Sequence, residues 1–108
     1  MFNERMDKMI TNKHLLIDRP HTVSGVQRIY KFKDGNGLSV VNCEILHGYP
    51  FAWEIAVLSN VRKNIFGEVI FDNLRYDTPL TDDVEVFSTD EEANEFIEKA
   101  AQYFGSEE

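Results

Sequence analysis

The sequence predicts an α+β domain: an antiparallel sheet of four to five strands with a C-terminal amphipathic helix packed on one face. Three observations predict it. Residues 26–46 read as two strands joined by a glycine-rich turn. Phe51–Leu58 alternates as a strand with apolar residues on both faces. Residues 90–104 carry apolar side chains at helical spacing.

The elements follow in order. Residues 1–10 mix charges with Met and Ile and read as peripheral to the fold. They contain no apolar core of a signal peptide, so the expected location is the cytoplasm. Leu15, Leu16 and Ile17 form a short apolar run, suited to an edge strand or an anchoring segment. Val26–Lys33 places Arg28, Tyr30 and Phe32 on one face and Gln27, Ile29, Lys31 and Lys33 on the other. Asp34-Gly35-Asn36-Gly37 supplies residues that tolerate positive φ, as tight turns require. Leu38–Leu46 returns.

His47-Gly48-Tyr49-Pro50 turns the chain into the third strand, Phe51–Leu58, with Phe51, Trp53, Ile55 and Val57 on one side. Its opposite face, Ala52, Glu54, Ala56 and Leu58, is also largely apolar. That pattern suits a central strand covered by a helix. Ser59–Asn64 is polar and basic. Ile65–Phe71, broken by Gly67, reads as a loop or short strand, and Leu74–Asp77 and Val84–Phe87 as short extended segments.

Ala93, Phe96, Ile97, Ala100, Ala101 and Phe104 then line one side of a helix. Thr89 and Glu92 have capping-box spacing, Asp90, Glu91 and Glu92 favour the positive end of the helix dipole, and Gly105 suits the C′ position. Glu95 and Lys99 are spaced for an ion pair.

At 108 residues the chain has the length of one domain, 1–108. Its single cysteine, Cys43, excludes an intrachain disulfide. The net charge of −8 is unevenly divided. Residues 1–63 carry nine Lys/Arg and six Asp/Glu, whereas residues 64–108 carry two and thirteen. Such a division suits an acidic surface for basic partners, and equally solubility or complementarity between the two halves.

The candidate chemistries are weak. Cys43 and His47 on an extended strand are about 13 Å apart, too far to share a metal ion. His14 and His21 have no companion at ligand spacing. Asp72, Asp77, Asp82 and Asp83 lack the EF-hand pattern. Ser24 near His21, and Cys43, sit in no nucleophile signature. The glycine-rich turn joins two strands, whereas a phosphate loop opens a helix. No catalytic residue, metal ligand or cofactor emerges, and no enzyme activity is expected. Arg28–Lys33 interleaves bases and aromatics as single-strand binders do, but the acidic balance opposes phosphate. The remaining candidate is a set of carboxylates, Asp82, Asp83, Glu91, Glu95 and Glu98, able to imitate nucleic-acid phosphates or to act only as a solvated face.

Three stretches together carry a resemblance: Tyr30-Lys31-Phe32-x-x-Gly35-x-Gly37-x-Ser39-Val40-Val41, Glu54-x-Ala56-Val57-Leu58, and Tyr76-Asp77-Thr78-Pro79-Leu80-Thr81-Asp82-Asp83-Val84. Over residues 26–104 the chain resembles a family of small, uncharacterised bacteriophage- and prophage-encoded proteins. The resemblance implies a phage origin and a sheet-plus-helix domain, and it brings no catalytic residues. Residues 60–73 are longer than the turn usual there. The stretch Tyr76–Val84 reads as a structured crossover, with Pro79 fixing the backbone and Asp and Thr side chains bonding nearby amides.

The expected function is therefore a phage accessory protein that binds a host or defence protein, such as a nucleic-acid-binding one, through its acidic residues in the host cytoplasm. Direct nucleic-acid binding and membrane insertion are not expected. The alternative is an assembly protein that self-associates through sheet-edge or apolar contacts.

Overall fold

The computed structural model describes residues 10–20, 25–42, 52–78, 80 and 84–105. Its strands are β1 (Leu15–Pro20), β2 (Val26–Lys31), β3 (Gly37–Asn42), β4 (Trp53–Leu58), β5 (Arg62–Lys63), β6 (Val69–Ile70), β7 (Leu74–Arg75) and β8 (Glu85–Phe87), followed by helix α1 (Asp90–Phe104). The main sheet runs β1-β2-β3-β4-β7, antiparallel throughout, and β8 also pairs with β4. Six strands thus occupy five positions, because β7 and β8 meet different parts of β4. The architecture is the predicted α+β one.

The β2–β3 register is fixed at its turn. Asp34 accepts from the backbone N–H of Asn36 at 2.9 Å, and Gly35 adopts φ 96°. Lys31 then pairs with Gly37 and Tyr30 with Leu38. Since side chains alternate along a strand, this register sends Tyr30, Phe32, Leu38, Val40, Trp53, Ile55 and Val57 to one face. Helix α1 covers that face with Ala93, Phe96, Ile97, Ala100, Ala101 and Phe104, and Ile10 joins them. Phe32 stacks on Phe104 with centroids 5.9 Å apart. Each large side chain buried here contributes about 1.5–3 kcal/mol.

The other face is covered by the β5–β6 hairpin. Asn60, at φ 55°, turns the chain out of β4, a conformation that Asn tolerates better than most residues. Val61 and Val69 then pack against Ile29 and Leu58, with Leu16, Ile17 and Phe71 around them. Arg19 of β1 donates to the Val69 carbonyl at 3.2 Å and to Gln27 at 3.0 Å, fastening the hairpin to the sheet.

At the base of this hairpin Asp72 accepts from Asn60 and from Arg62, each at 2.9 Å. The Asn60 hydrogen bond, then that of Arg62, hold the Asp72 carboxyl below its ordinary range. A depressed carboxyl pKa contributes stability above the unfolded-state value, and loses it as pH falls through the folded-state value. The hairpin base is therefore expected to loosen only below about pH 4. A carbon-detected NMR titration should place Asp72 below a free aspartate, with Asn60→Ala moving it up. An Asp72 titration indifferent to Asn60 would refute this linkage.

Candidate functional site

Helix α1 starts where the sequence places it. Thr89 is extended (φ −131°, ψ 156°) and its side chain accepts from the Glu92 N–H at 3.1 Å. Asp90 is drawn inward, accepting from Trp53 Nε1 at 2.7 Å, which ties the first turn to β4. Gly105 ends the helix at φ 100°, its N–H donating to the Ala101 carbonyl. Its own carbonyl accepts from Lys33 at 2.9 Å.

With the apolar side held against the sheet, Glu91, Glu95 and Glu98 are exposed. A step of about 100° per residue places the three within about 60° of arc, and the axial rise spreads them over about 10 Å. Lys99 is exposed too, but closes no ion pair with Glu95 among the described residues. The last turn carries no basic residue. The result is an acidic ridge turned to solvent. Asp82 and Asp83 lie outside the described residues.

The other candidates are placed as follows. Arg28, Tyr30 and Phe32 are buried, so this alternating strand offers no stacking platform. Arg28 is instead a core fork. It donates to Tyr30 Oη at 3.1 Å, Asp18 at 3.2 Å, the Thr11 carbonyl at 3.1 Å and Asn12 Oδ1. Tyr30 Oη in turn donates to the Thr11 carbonyl at 2.6 Å. Burial raises the Tyr30 pKa, against the lowering effect of the Arg28 bond. His14 packs edge-on against Phe32, with centroids 5.4 Å apart. Asp72 is taken by Asn60 and Arg62, and Asp77 by Arg75 at 3.0 Å. Among the described residues no three His, Cys, Asp or Glu side chains come together as a metal site. Ser24, His21, Cys43 and His47 lie outside those residues. In the stretch Tyr76–Val84, Thr78 is buried and Leu80 packs against the core, whereas Pro79, Thr81, Asp82 and Asp83, on which a structured crossover was expected to rest, lie outside the described residues.

Sequence reasoning missed the tip of the β5–β6 hairpin. Asn64 Oδ1 accepts from the N–H groups of Phe66 and Glu68, both at 2.9 Å, and Asn64 Nδ2 donates to Glu68 at 2.9 Å. Gly67, at φ 83°, completes the turn. This frame holds Ile65 and Phe66 in solvent, 92% and 80% exposed. The available signal was the pairing of Asn64 with Gly67, turn-formers at the first and fourth positions.

No protein-family model, curated protein or solved structure matches the chain.

Proposed function

We propose that the protein is a phage-encoded accessory factor that works by binding, without chemistry of its own, in the host cytoplasm. Its partner is a host or defence protein with a basic surface, engaged by Glu91, Glu95 and Glu98. The observation that supports this reading is the solvent-facing acidic ridge. Three carboxylates over about 10 Å of helix stand about 5 Å apart along the axis, of the same order as, though wider than, the roughly 3.4 Å between charges of one DNA strand. A rigid helix presenting that density suits a site built to grip phosphates. The whole chain, at −8, adds long-range attraction toward a basic partner.

The test is capture of a partner from nuclease-treated host lysate on the tagged protein, eluted by a salt gradient. Release is expected at moderate salt, as exposed charges become screened. Reversal of Glu91, Glu95 and Glu98 to Lys should weaken capture more than about tenfold. A partner retained equally well by the reversed variant would sink the reading.

A further inference from the structure

The turn between β2 and β3 contains the dipeptide Asn36-Gly37. Asparagine is chemically labile, and most so before glycine, whose amide nitrogen no side chain shields. The glycine cannot be exchanged here, because a Cβ at Gly37 would stand 2.1 Å from the Tyr30 carbonyl oxygen. The chain is therefore committed to a reactive pair at the point that sets the β2–β3 register.

The side chain of Asn36 is held at both ends of its amide. Asn36 Nδ2 donates to Asp34 Oδ2 at 2.9 Å, while the other Asp34 oxygen accepts from the Asn36 backbone N–H. Asn36 Oδ1 accepts from the Arg75 guanidinium at 3.0 Å. Arg75 stands on β7, two strands away from β3, and its Nε is anchored on Asp77 at 3.0 Å.

We propose that Asn36 is a latent modification site, its side-chain amide fixed by Asp34 and Arg75, and converted to aspartate or isoaspartate when β7 lets go.

In that reaction the Gly37 nitrogen gives up its proton and bonds to Asn36 Cγ. The Cγ–Nδ2 bond breaks, and the nitrogen leaves with a proton as ammonia. Water then opens the cyclic imide at either carbonyl. Two features of the fold oppose the first step. Gly37 is buried and paired with Lys31 on one side and Leu58 on the other, so its N–H is shielded from hydroxide and its peptide plane cannot turn. The amide plane of Asn36 cannot turn to face that nitrogen while Asp34 and Arg75 grip its two ends. The Arg75 donor also polarises the Cγ carbonyl, but polarisation acts only once nitrogen and carbon can meet. Conversion would loosen the turn. Aspartate would set a second carboxylate against Asp34. Isoaspartate would route the main chain through the side chain, taking the carbonyl that accepts from the Phe32 N–H out of the backbone.

Conversion is followed by peptide mass mapping of the full chain, held at neutral pH and physiological temperature, with isoaspartate separated by chromatography. Wild type, wild type unfolded in concentrated urea, and Arg75→Met are compared. A low urea concentration brings wild type and variant to the same unfolding free energy, so passage through the unfolded state contributes equally to both. Fast conversion is expected in the unfolded chain and slow conversion in the native one. At matched stability Arg75→Met should convert at least about fivefold faster, the order set by loss of a hydrogen bond to a charged group. Asp34→Ala, which frees the leaving nitrogen, should act in the same direction. Equal rates at matched stability overturn the inference. So does a native chain that converts as fast as the unfolded one, or slower conversion in Arg75→Met, the result if the guanidinium chiefly activates the amide.

Discussion

Gly37→Ala is expected to unfold the chain at ordinary temperature. A Cβ at Gly37 would stand 2.1 Å from the Tyr30 carbonyl oxygen and 2.7 Å from Val61 Cγ2. Neither neighbour can withdraw. Tyr30 is fully buried in β2, which is hydrogen-bonded on both sides. Val61 is locked in the hairpin cluster, and its N–H donates to the Gly35 carbonyl at 2.9 Å. Relief would require parting β2 from β3 or lifting the hairpin off the sheet. Either exceeds about 4 kcal/mol, within reach of the whole stability of a small domain. Gly67→Ala is the control: its Cβ meets nothing within 4 Å, leaving only positive-φ strain of about 1 kcal/mol. Urea unfolding of the two variants measures the contrast. A Gly37→Ala chain as stable as Gly67→Ala would show that the strands do not approach so closely.

Arg28→Met should cost about 3–5 kcal/mol, the usual penalty for breaking a buried charged network on one side. The carbonyls of Ile10 and Thr11, Asn12 and the Tyr30 hydroxyl would all lose a donor. Arg28→Lys should recover little, because a single ammonium cannot reproduce the planar fork that reaches β1 and residues 10–12 together. The damage should be local before it is global. The Leu15 N–H donates to the Asn12 carbonyl, and the Lys31 N–H to that of His14, both at 3.0 Å. Hydrogen exchange at these amides should accelerate in Arg28→Met by clearly more than at amides within β3, which follow only the loss of global stability. Uniform acceleration across β1 to β4 would contradict this local role.

The strongest local signals in the sequence matched the structure. The Asp34–Gly37 turn and the cap-to-cap helix are set by short-range chemistry, Gly35 at positive φ and Thr89 on the Glu92 amide, and both are legible without tertiary context. The apolar residues on both faces of β4 marked a central strand covered on at least one side by a helix, and α1 is that cover. They could not say that the second cover is a hairpin, because two-residue strands such as β5 and β6 are too short to show a period of two. Arg28 was misleading for a related reason. A basic residue among aromatics looks like a surface pattern, and only acceptors far away in sequence make its burial affordable. Ile65 and Phe66 escaped notice because a short apolar run suggests a strand, and solvent exposure is not encoded in hydropathy. The acidic ridge was legible in Glu91, Glu95 and Glu98, since helical spacing alone turns them away from Phe96, Ile97 and Phe104. What such a ridge would bind is not, because recognition depends on a surface that belongs to another molecule.

The division of β4's outer edge between β7 and β8 bears on amyloid-like growth. An unpaired strand invites another to add, and a continuous run of free main-chain groups makes the best template. Here β7 takes Val57 and Leu58, β8 takes Trp53 to Ile55, and Ala56 lies between them. The two cover strands are only two and three residues long, so neither offers an incoming strand a sustained register. At the far side, β1 has an irregularity between Leu15 and Ile17 and ends at Pro20, which has no N–H to donate. Both borders of the sheet therefore end without a smooth ladder. Such borders disfavour edge-to-edge growth between copies of the sheet.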